Sequence, residues 1–337
     1  MKKTKVTIKD VAEYANVSPA TVSRVLNHYK WVNTEVKERV QRAIEELHFV
    51  PNLTAKAMVQ GRSQMVVVIV PVIDNHFFTQ LINTIIQEMK KYGYYVVVYT
   101  TESEEEEIRF LNSSICQMAD GILDATSLKN LSPLYGIRKP IVLMDRYFEE
   151  NTAIDCVMNQ NYEALYQGTE YLVQRGHRRI AFLVGREGHG IAQERIKGYR
   201  DCLKDHSILW REEYFVQGSW KAAEGDRNTT RLLAMDEPPT AVIAGNNTLT
   251  LGALEAVRRQ GLHLGEDISL MGFEECDDDV ERFEQCGVSC FHLDTSAIAV
   301  RASKLLLNRM QEPEQTKEAE MESLMLAFVE RTSVAVV

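Results

Sequence analysis

The chain has 337 residues, 45% hydrophobic and 26% charged, and a formal net charge of −10. That is ordinary globular composition, with room for a small module beside one large or two medium domains. It excludes a bilayer span, because the longest near-continuous apolar run, Met65 to Ile73, is far too short to cross one. The N-terminal stretch "MKKTKVTIKDVAEY" has charges breaking any apolar run and carries no secretory signal. A cytoplasmic protein with reduced thiols at Cys116, Cys156, Cys202, Cys276, Cys286 and Cys290 is expected. Cys286 and Cys290 form a C-x₃-C without a partner pair or histidine couple, so they are read as buried structural thiols rather than a zinc site.

The charge is unevenly spread. Residues 1–62 hold eleven Lys/Arg and six Asp/Glu, a formal +5, which leaves −15 on the remainder. A basic head sits on an acidic body, and only the head suits a polyanion.

In "TIKDVAEYANVSPATVSRVLN", Ile8, Val11, Ala12 and Ala15 keep the spacing of one helical face. Asn16 sits at the break, where a left-handed residue is tolerated. Ser18 is placed as an N-cap and Pro19 as the first helical residue. Val22, Val25 and Leu26 form the buried stripe of the second helix. A third amphipathic helix carries Val36, Val40, Ile44 and Leu47. Two helices around a tight turn, braced by a third, predict a helix-turn-helix. The second helix then presents Pro19, Ala20, Thr21, Ser23 and Arg24 outward. Arg24 suits guanine O6/N7, and Ala20 suits close approach to a thymine methyl. Thr7, Thr21, Ser23 and Asn27 suit phosphates. Spacing alone leaves a three-helix interaction module open.

"VSPATVSRVLN", followed by "VNTEVKERVQRAIEELHFVPN", resembles the DNA-binding domain of the lactose-repressor (LacI/GalR) family, with few breaks as far as Asn52. Pro51 ends the third helix, and "NLTAKAMVQ" has helical propensity over only about two turns. The resemblance implies a hinge helix here that folds on operator DNA. Asn52 and Ala55 lie on it, and Met58 stands where the family wedges a leucine into the minor groove. A linker packed on the body is the alternative.

From Met65 onward, apolar strands alternate with helices in two series. The first contains "MVVVIVPV", "YYVVVYT", "DGILDA" and "PIVLMD"; the second contains "RRIAFLV", "YFVQG", "TAVIAG" and "DISLMGF". Strands of this kind predict two doubly wound parallel sheets with a cleft at their carboxyl ends. "ESEEEE" (Glu102 to Glu107) is read as the acidic start of a helix. The resemblance extends more loosely over this half, to the two-lobed periplasmic-binding-protein-like core of the family. The fold expected is thus an all-α helix-turn-helix head (residues 1–50), a hinge helix and linker (51–63), and an α/β effector-binding and dimerisation core (64–337). Its first lobe spans about 64–160 and 291–326, its second about 161–290 and 327–337.

The same resemblance places effector contacts. Arg195 in "ERIKGY" matches an arginine that grips effector oxygens, and Asn246 in "GNN" and Glu274 in "GFEE" match positions that bond sugar hydroxyls. Trp220 suits stacking on a sugar face. Asp74, Phe77 and Phe78 in "DNHFF", with Asp145 and Arg146 in "MDR", lie at strand ends of the first lobe. The duller alternatives are core packing for the two phenylalanines and an inter-lobe ion pair for Asp145 with Arg146. The chain departs from the family where Asn246-Asn247 replaces the usual Asn-Asp. A negative charge lost beside Arg195 would favour a sugar acid as ligand.

These features predict a sequence-specific DNA-binding transcriptional regulator, a repressor of carbohydrate-utilisation genes gated by a sugar or sugar-acid effector. It would bind a near-palindromic operator as a homodimer, because "FVERTSVAVV" adds no leucine-heptad tail. Alternatives are a global carbon-catabolite regulator with a protein co-repressor, and a solute-binding protein, which would not need residues 1–62. No cofactor, metal or membrane is expected. No P-loop ending, G-x-S-x-G elbow or metal-spaced histidine cluster asks for an enzyme.

Overall fold

The computed structural model describes residues 6–26, 31–50, 62–146, 148, 150–151, 153–185, 190–275, 277–311 and 318–337. Two compact units result, residues 1–63 and 64–337. Four positions expected to touch DNA, Asn27, Asn52, Ala55 and Met58, lie outside the described residues, as does most of the expected hinge.

In the first unit, α1 spans Ile8–Tyr14, α2 Pro19–Leu26 and α3 Thr34–Glu46. The turn between α1 and α2 works because Asn16 adopts φ 49°, a left-handed conformation that asparagine accepts more readily than most residues. Ser18 Oγ accepts the Thr21 amide at 3.1 Å, which caps α2. Asn33 caps α3 by accepting the Glu35 amide. Val11, Ala12, Ala15, Val22, Val25, Val40, Ala43 and Phe49 form the buried core of this unit. Each large aliphatic side chain so buried contributes roughly 1.5–3 kcal/mol.

In the second unit, one six-stranded sheet has the order β11-β5-β4-β3-β1-β2. Its strands are β1 Met65–Val70, β2 Tyr95–Thr100, β3 Gly121–Asp124, β4 Ile141–Met144, β5 Asp155–Asn159 and β11 Met321–Leu324, all parallel. The other has the order β12-β10-β9-β8-β6-β7. It uses β6 Ile180–Gly185, β7 Phe215–Gly218, β8 Ala241–Ala244, β9 Ser269–Glu275, β10 Ser289–His292 and β12 Ala327–Val329. Only β12 runs antiparallel, against β10. Valine- and isoleucine-rich strands form these sheets because both faces are covered: Val66, Val68 and Val70 enter one core, and Val67 and Ile69 the opposite one.

The helices that matter for the site are α4 His76–Lys91, α5 Glu104–Leu111, α6 Ser114–Met118, α7 Asn161–Gln174, α8 Gly190–Asp205, α9 Ala222–Leu233, α10 Asn247–Arg259, α11 Asp277–Gln285 and α12 Thr295–Gln311. The chain passes between the lobes three times: from β5 into α7, from β10 into α12, and from β11 into β12. Strand order reverses between β1 and β3 in one lobe and between β6 and β8 in the other. Those two switch points are where such sheets open a crevice.

The cysteine reading needs one correction. Cys290 is buried, but Cys286 is exposed, so only one of the two is an interior thiol. Among the described residues, no group of histidine, cysteine or carboxylate side chains is arranged to hold a metal.

Candidate effector cleft and DNA-facing helix

The helix-turn-helix places Ser18, Pro19, Ala20 and Arg24 on the exposed side of α2, with Thr21 and Ser23 half-buried. Two of the polar groups are already engaged locally. Ser18 Oγ and Thr21 Oγ1 lie 2.9 Å apart. The Thr7 hydroxyl donates to Asp10 Oδ2 at 2.8 Å, and the Thr7 amide donates to the same oxygen. Asp10 is held below the usual carboxylate range by those two bonds. Thr7 therefore spends its hydroxyl proton on starting α1, and a phosphate would have to displace Asp10 to receive it.

Between the lobes of the second unit lies a cleft of about 460 Å³. Asp74, Phe77, Phe78, Asp145 and Arg146 line it from the first lobe, and Arg195, Trp220, Asn246 and Glu274 from the second. Phe77 and Phe78 serve two ends at once, for both are also buried in the first-lobe core. The α4 and α10 helices start here, capped by Asn75 and Asn246. Asn246 Oδ1 accepts the Leu249 amide at 2.8 Å, so its amide nitrogen is the group left for a ligand.

Arg195 is 1% exposed, and each of its three nitrogens makes a hydrogen bond. Its Nε donates to Asn161 Oδ1 at 2.8 Å, Nη1 to the Gly245 carbonyl at 2.5 Å, and Nη2 to Glu274 Oε1. The guanidinium lies 4.3 Å from the Phe273 ring centroid and 5.7 Å from that of Trp220. Arg195 and Glu274 thus form a buried ion pair at the base of the cleft. Trp220 lies flat on Gly185: a Cβ built there would fall 1.9 Å from the indole Cε2.

Two of the cleft carboxylates sit on unusual backbone. Asp145 has φ 49° and Glu274 φ 60°. Left-handed geometry costs such residues roughly 1–3 kcal/mol, an expense that tends to be found at functional sites. Asp145 Oδ1 accepts from Asn159 Nδ2 at 3.0 Å. Burial, and next the Glu274 carboxylate, push the Asp145 carboxyl up to about 6. Arg146 Nε donates to the Thr126 carbonyl at 2.8 Å and Nη1 to the Asp145 carbonyl at 3.2 Å. Asp145 and Arg146 are charged neighbours, and the alternative of an inter-lobe ion pair made by them is not formed among the described residues; Arg195 pairs with Glu274 instead.

Several residues belong to the site that the motifs did not indicate. Glu107 on α5 is 0% exposed, accepts the Ser127 amide at 2.6 Å and bonds the Thr126 hydroxyl. Burial raises it, and burial with the Glu107 charge raises Asp124 well above the ordinary range. Both shifts go in the direction of a carboxyl that keeps its proton, because burial and a neighbouring negative charge disfavour ionisation. Glu107 is thus no surface charge of the acidic run; it reaches inward behind Arg146.

Asn247 requires a larger correction. It does not neighbour Arg195. Its side chain exchanges hydrogen bonds with Asn75 of the other lobe, at 3.3 and 3.4 Å, and donates to Asp279 Oδ2 at 3.0 Å. His76 Nδ1 meets the other Asp279 oxygen at 3.1 Å. This is a polar clasp across the mouth, with Asp279 supplying the carboxylate. The loss of a charge at position 247 therefore says nothing about the charge beside Arg195.

A two-lobed core that closes around a polar cleft, on a chain that also carries a helix-turn-helix, defines a ligand-responsive DNA-binding protein. Residues 7–52 match the family described as bacterial regulatory proteins of the lacI family, and residues 63–327 that of periplasmic binding proteins and the sugar-binding domain of the LacI family. The chain belongs to the LacI family. It is 31% identical over 339 residues to the probable HTH-type transcriptional repressor ExuR of Bacillus subtilis (strain 168), covering 98% of each chain. It is 27% identical to the ribose operon repressor of Haemophilus influenzae, covering 92% of this chain and 93% of that one. The lac repressor dimer bound to operator and the anti-inducer ONPF superposes with a TM-score of 0.85 at 25% identity, over 98% of this chain and 100% of that one. The regulator CelR in complex with cellobiose gives 0.71 at 26% identity, over 97% and 99%. The protein is a DNA-binding transcriptional regulator of the repressor type. Among the described residues no helix is long and apolar enough to cross a membrane.

Proposed function

We propose that this regulator represses genes of carbohydrate use from a near-palindromic operator, as a cytoplasmic homodimer without enzymatic activity, and is gated by a sugar or sugar acid in the cleft. The observation that carries the effector reading is the cleft itself. Positioned hydrogen-bonding groups at Arg146, Asn246 and Asp145 face an indole wall at Trp220, the combination that binds a hydroxylated ring. Arg195 and Glu274 hold the base of that site as a pair and present their remaining polar edges to the ligand.

On DNA, Arg24 reads a guanine and Ala20 admits the helix to the major groove, while Ser18 and Pro19 fix the start of α2. Thr7, Thr21, Ser23 and Asn27 set the register on phosphates. Asn52, Ala55 and Met58 are assigned to a hinge helix, with Met58 as the minor-groove wedge. The test is selection of bound fragments from genomic DNA, followed by release with candidate sugars and sugar acids. A selected near-palindrome is expected, with release by a small subset of the ligands. Arg24→Ala should cost about 1–3 kcal/mol and relax preference at one base pair per half-site. A uniform loss over all sequences would assign Arg24 to phosphate instead.

Within the cleft, Gly185→Ala should move the Trp220 indole off its seat. Overpacking of this kind costs about 1–3 kcal/mol of stability, and the displaced indole should weaken the effector response in the release assay. An unchanged response would remove Trp220 from the ligand wall.

A further inference from the structure

We propose that Glu107 is a positioning residue of the effector cleft: it grips one side of the Thr126–Ser127 peptide, and that peptide aims Arg146 at the ligand. The inference rests on the reading of the cleft as the effector site, and it gives the acidic run from Glu102 to Glu107 a task there.

The glutamates of the run divide their contacts. Glu105 is exposed. Glu104 accepts the Lys129 amide at 3.2 Å and pairs with the Lys129 ammonium at 3.0 Å. Glu106 accepts the Thr101 hydroxyl at 2.9 Å. Glu107 is buried, and its oxygens accept the Ser127 amide, at 2.6 Å, and the Thr126 hydroxyl. A buried carboxyl needs such partners, and here all of them come from the loop that follows β3. The first turn of α5 therefore holds that loop at residues 126, 127 and 129.

A single peptide group carries the argument. A trans peptide is planar, and its carbonyl and N–H point in opposite directions. The N–H between Thr126 and Ser127 donates to Glu107 Oε2. The carbonyl of the same peptide accepts from Arg146 Nε at 2.8 Å. One rigid plate is thus clamped between a carboxyl group and a guanidinium. Each bond polarises the plate in the sense that strengthens the other.

Arg146 takes its aim from this plate. Its other bond, from Nη1 to the Asp145 carbonyl at 3.2 Å, is longer and reaches only the preceding residue of its own chain segment. The Thr126 carbonyl is the group from another loop that fixes the Nε end, and so the plane, of the guanidinium. Arg146 and Ser127 both line the cleft, so a tilt of the plate moves two groups that face the ligand. Errors of about 1 Å in such groups are enough to weaken recognition.

Two variants of the full chain separate reach from charge. Glu107→Gln keeps the length and an oxygen for the Ser127 amide, whereas Glu107→Asp keeps the acid but ends one methylene short. Crystal structures should show the Thr126–Ser127 peptide and Arg146 in place in Glu107→Gln and displaced in Glu107→Asp. Operator release is read with D-ribose, D-glucose, cellobiose, D-glucuronate and D-galacturonate. Of any that acts on the parent, Glu107→Asp should need about tenfold more, the scale of one weakened charge-assisted hydrogen bond, and Glu107→Gln the parental amount. In an Arg146→Met background, Glu107→Asp should have no further effect. An undisplaced Arg146 in Glu107→Asp would overturn the proposal. So would a Glu107→Gln variant that keeps the geometry and loses release, or an equal loss with and without Arg146. If none of the five sugars acts on the parent, the effector reading of the cleft fails, while the two structures still decide what holds Arg146.

Discussion

Arg195→Met should destabilise the core unit by about 3–5 kcal/mol, the usual consequence of removing one partner from a buried ion pair. The replaced guanidinium is 1% exposed and satisfies Asn161 Oδ1, the Gly245 carbonyl and Glu274 together. Methionine fills much of the space but takes a donor away from each of three acceptors, one of them a carboxylate. Since domains are stable by only about 5–15 kcal/mol, the denaturation midpoint should drop sharply with little change in slope. Arg195→Lys should not rescue, because an ammonium cannot reach three divergent acceptors as a planar fork does. The double variant Arg195→Met/Glu274→Gln should recover part of the loss by removing the orphaned charge. A single variant as stable as the parent would show that solvent, not Arg195, answers Glu274.

Val22→Asp should unfold the head and abolish operator binding, while the core keeps its effector affinity. Val22 is 0% exposed, in a core with eight buried side chains among the described residues. A small domain has little stability to spare, and an unpaired carboxylate placed in that core costs several kcal/mol on its own. The core unit, residues 64–337, has its own hydrophobic clusters and shares none of this damage. Loss of gel-shift activity with an unaltered ligand titration is the expected pair of results. Retained operator binding would mean that α2 does not need this core to hold its shape.

The head was legible because each of its signals is local. Asn16, Ser18 and Pro19 mark a turn, a cap and a first helical residue within four positions, and the structure uses Asn16 and Ser18 in those ways. The strands of both lobes were legible because burial on two faces forces apolar runs. Strand ends then pointed to cleft residues such as Asp145 and Arg146, and the family resemblance to Glu274. What chain order cannot give is the direction of a side chain at the start of a helix. Asn247, next to Asn246 in sequence, turns to Asn75 and Asp279, away from Arg195. Glu107 was hidden for a related reason. In a run of four glutamates that begins a helix, only the one whose position on the helix faces the sheet goes inside. Its partners Thr126 and Ser127 come from a different loop, close only after folding.

The last crossing of the chain has a consequence for timing. Strand β11 completes the edge of one sheet by pairing with β5, and β12 the edge of the other by pairing with β10. Both strands come from residues 321–329, so neither sheet can be finished until those residues have been made. Domains emerge from synthesis N-terminal first, at about 5–20 residues per second. The helix-turn-helix therefore has tens of seconds in which to fold before the cleft can close around anything. A nascent chain on the ribosome carries a finished reading head well before it owns a working sensor.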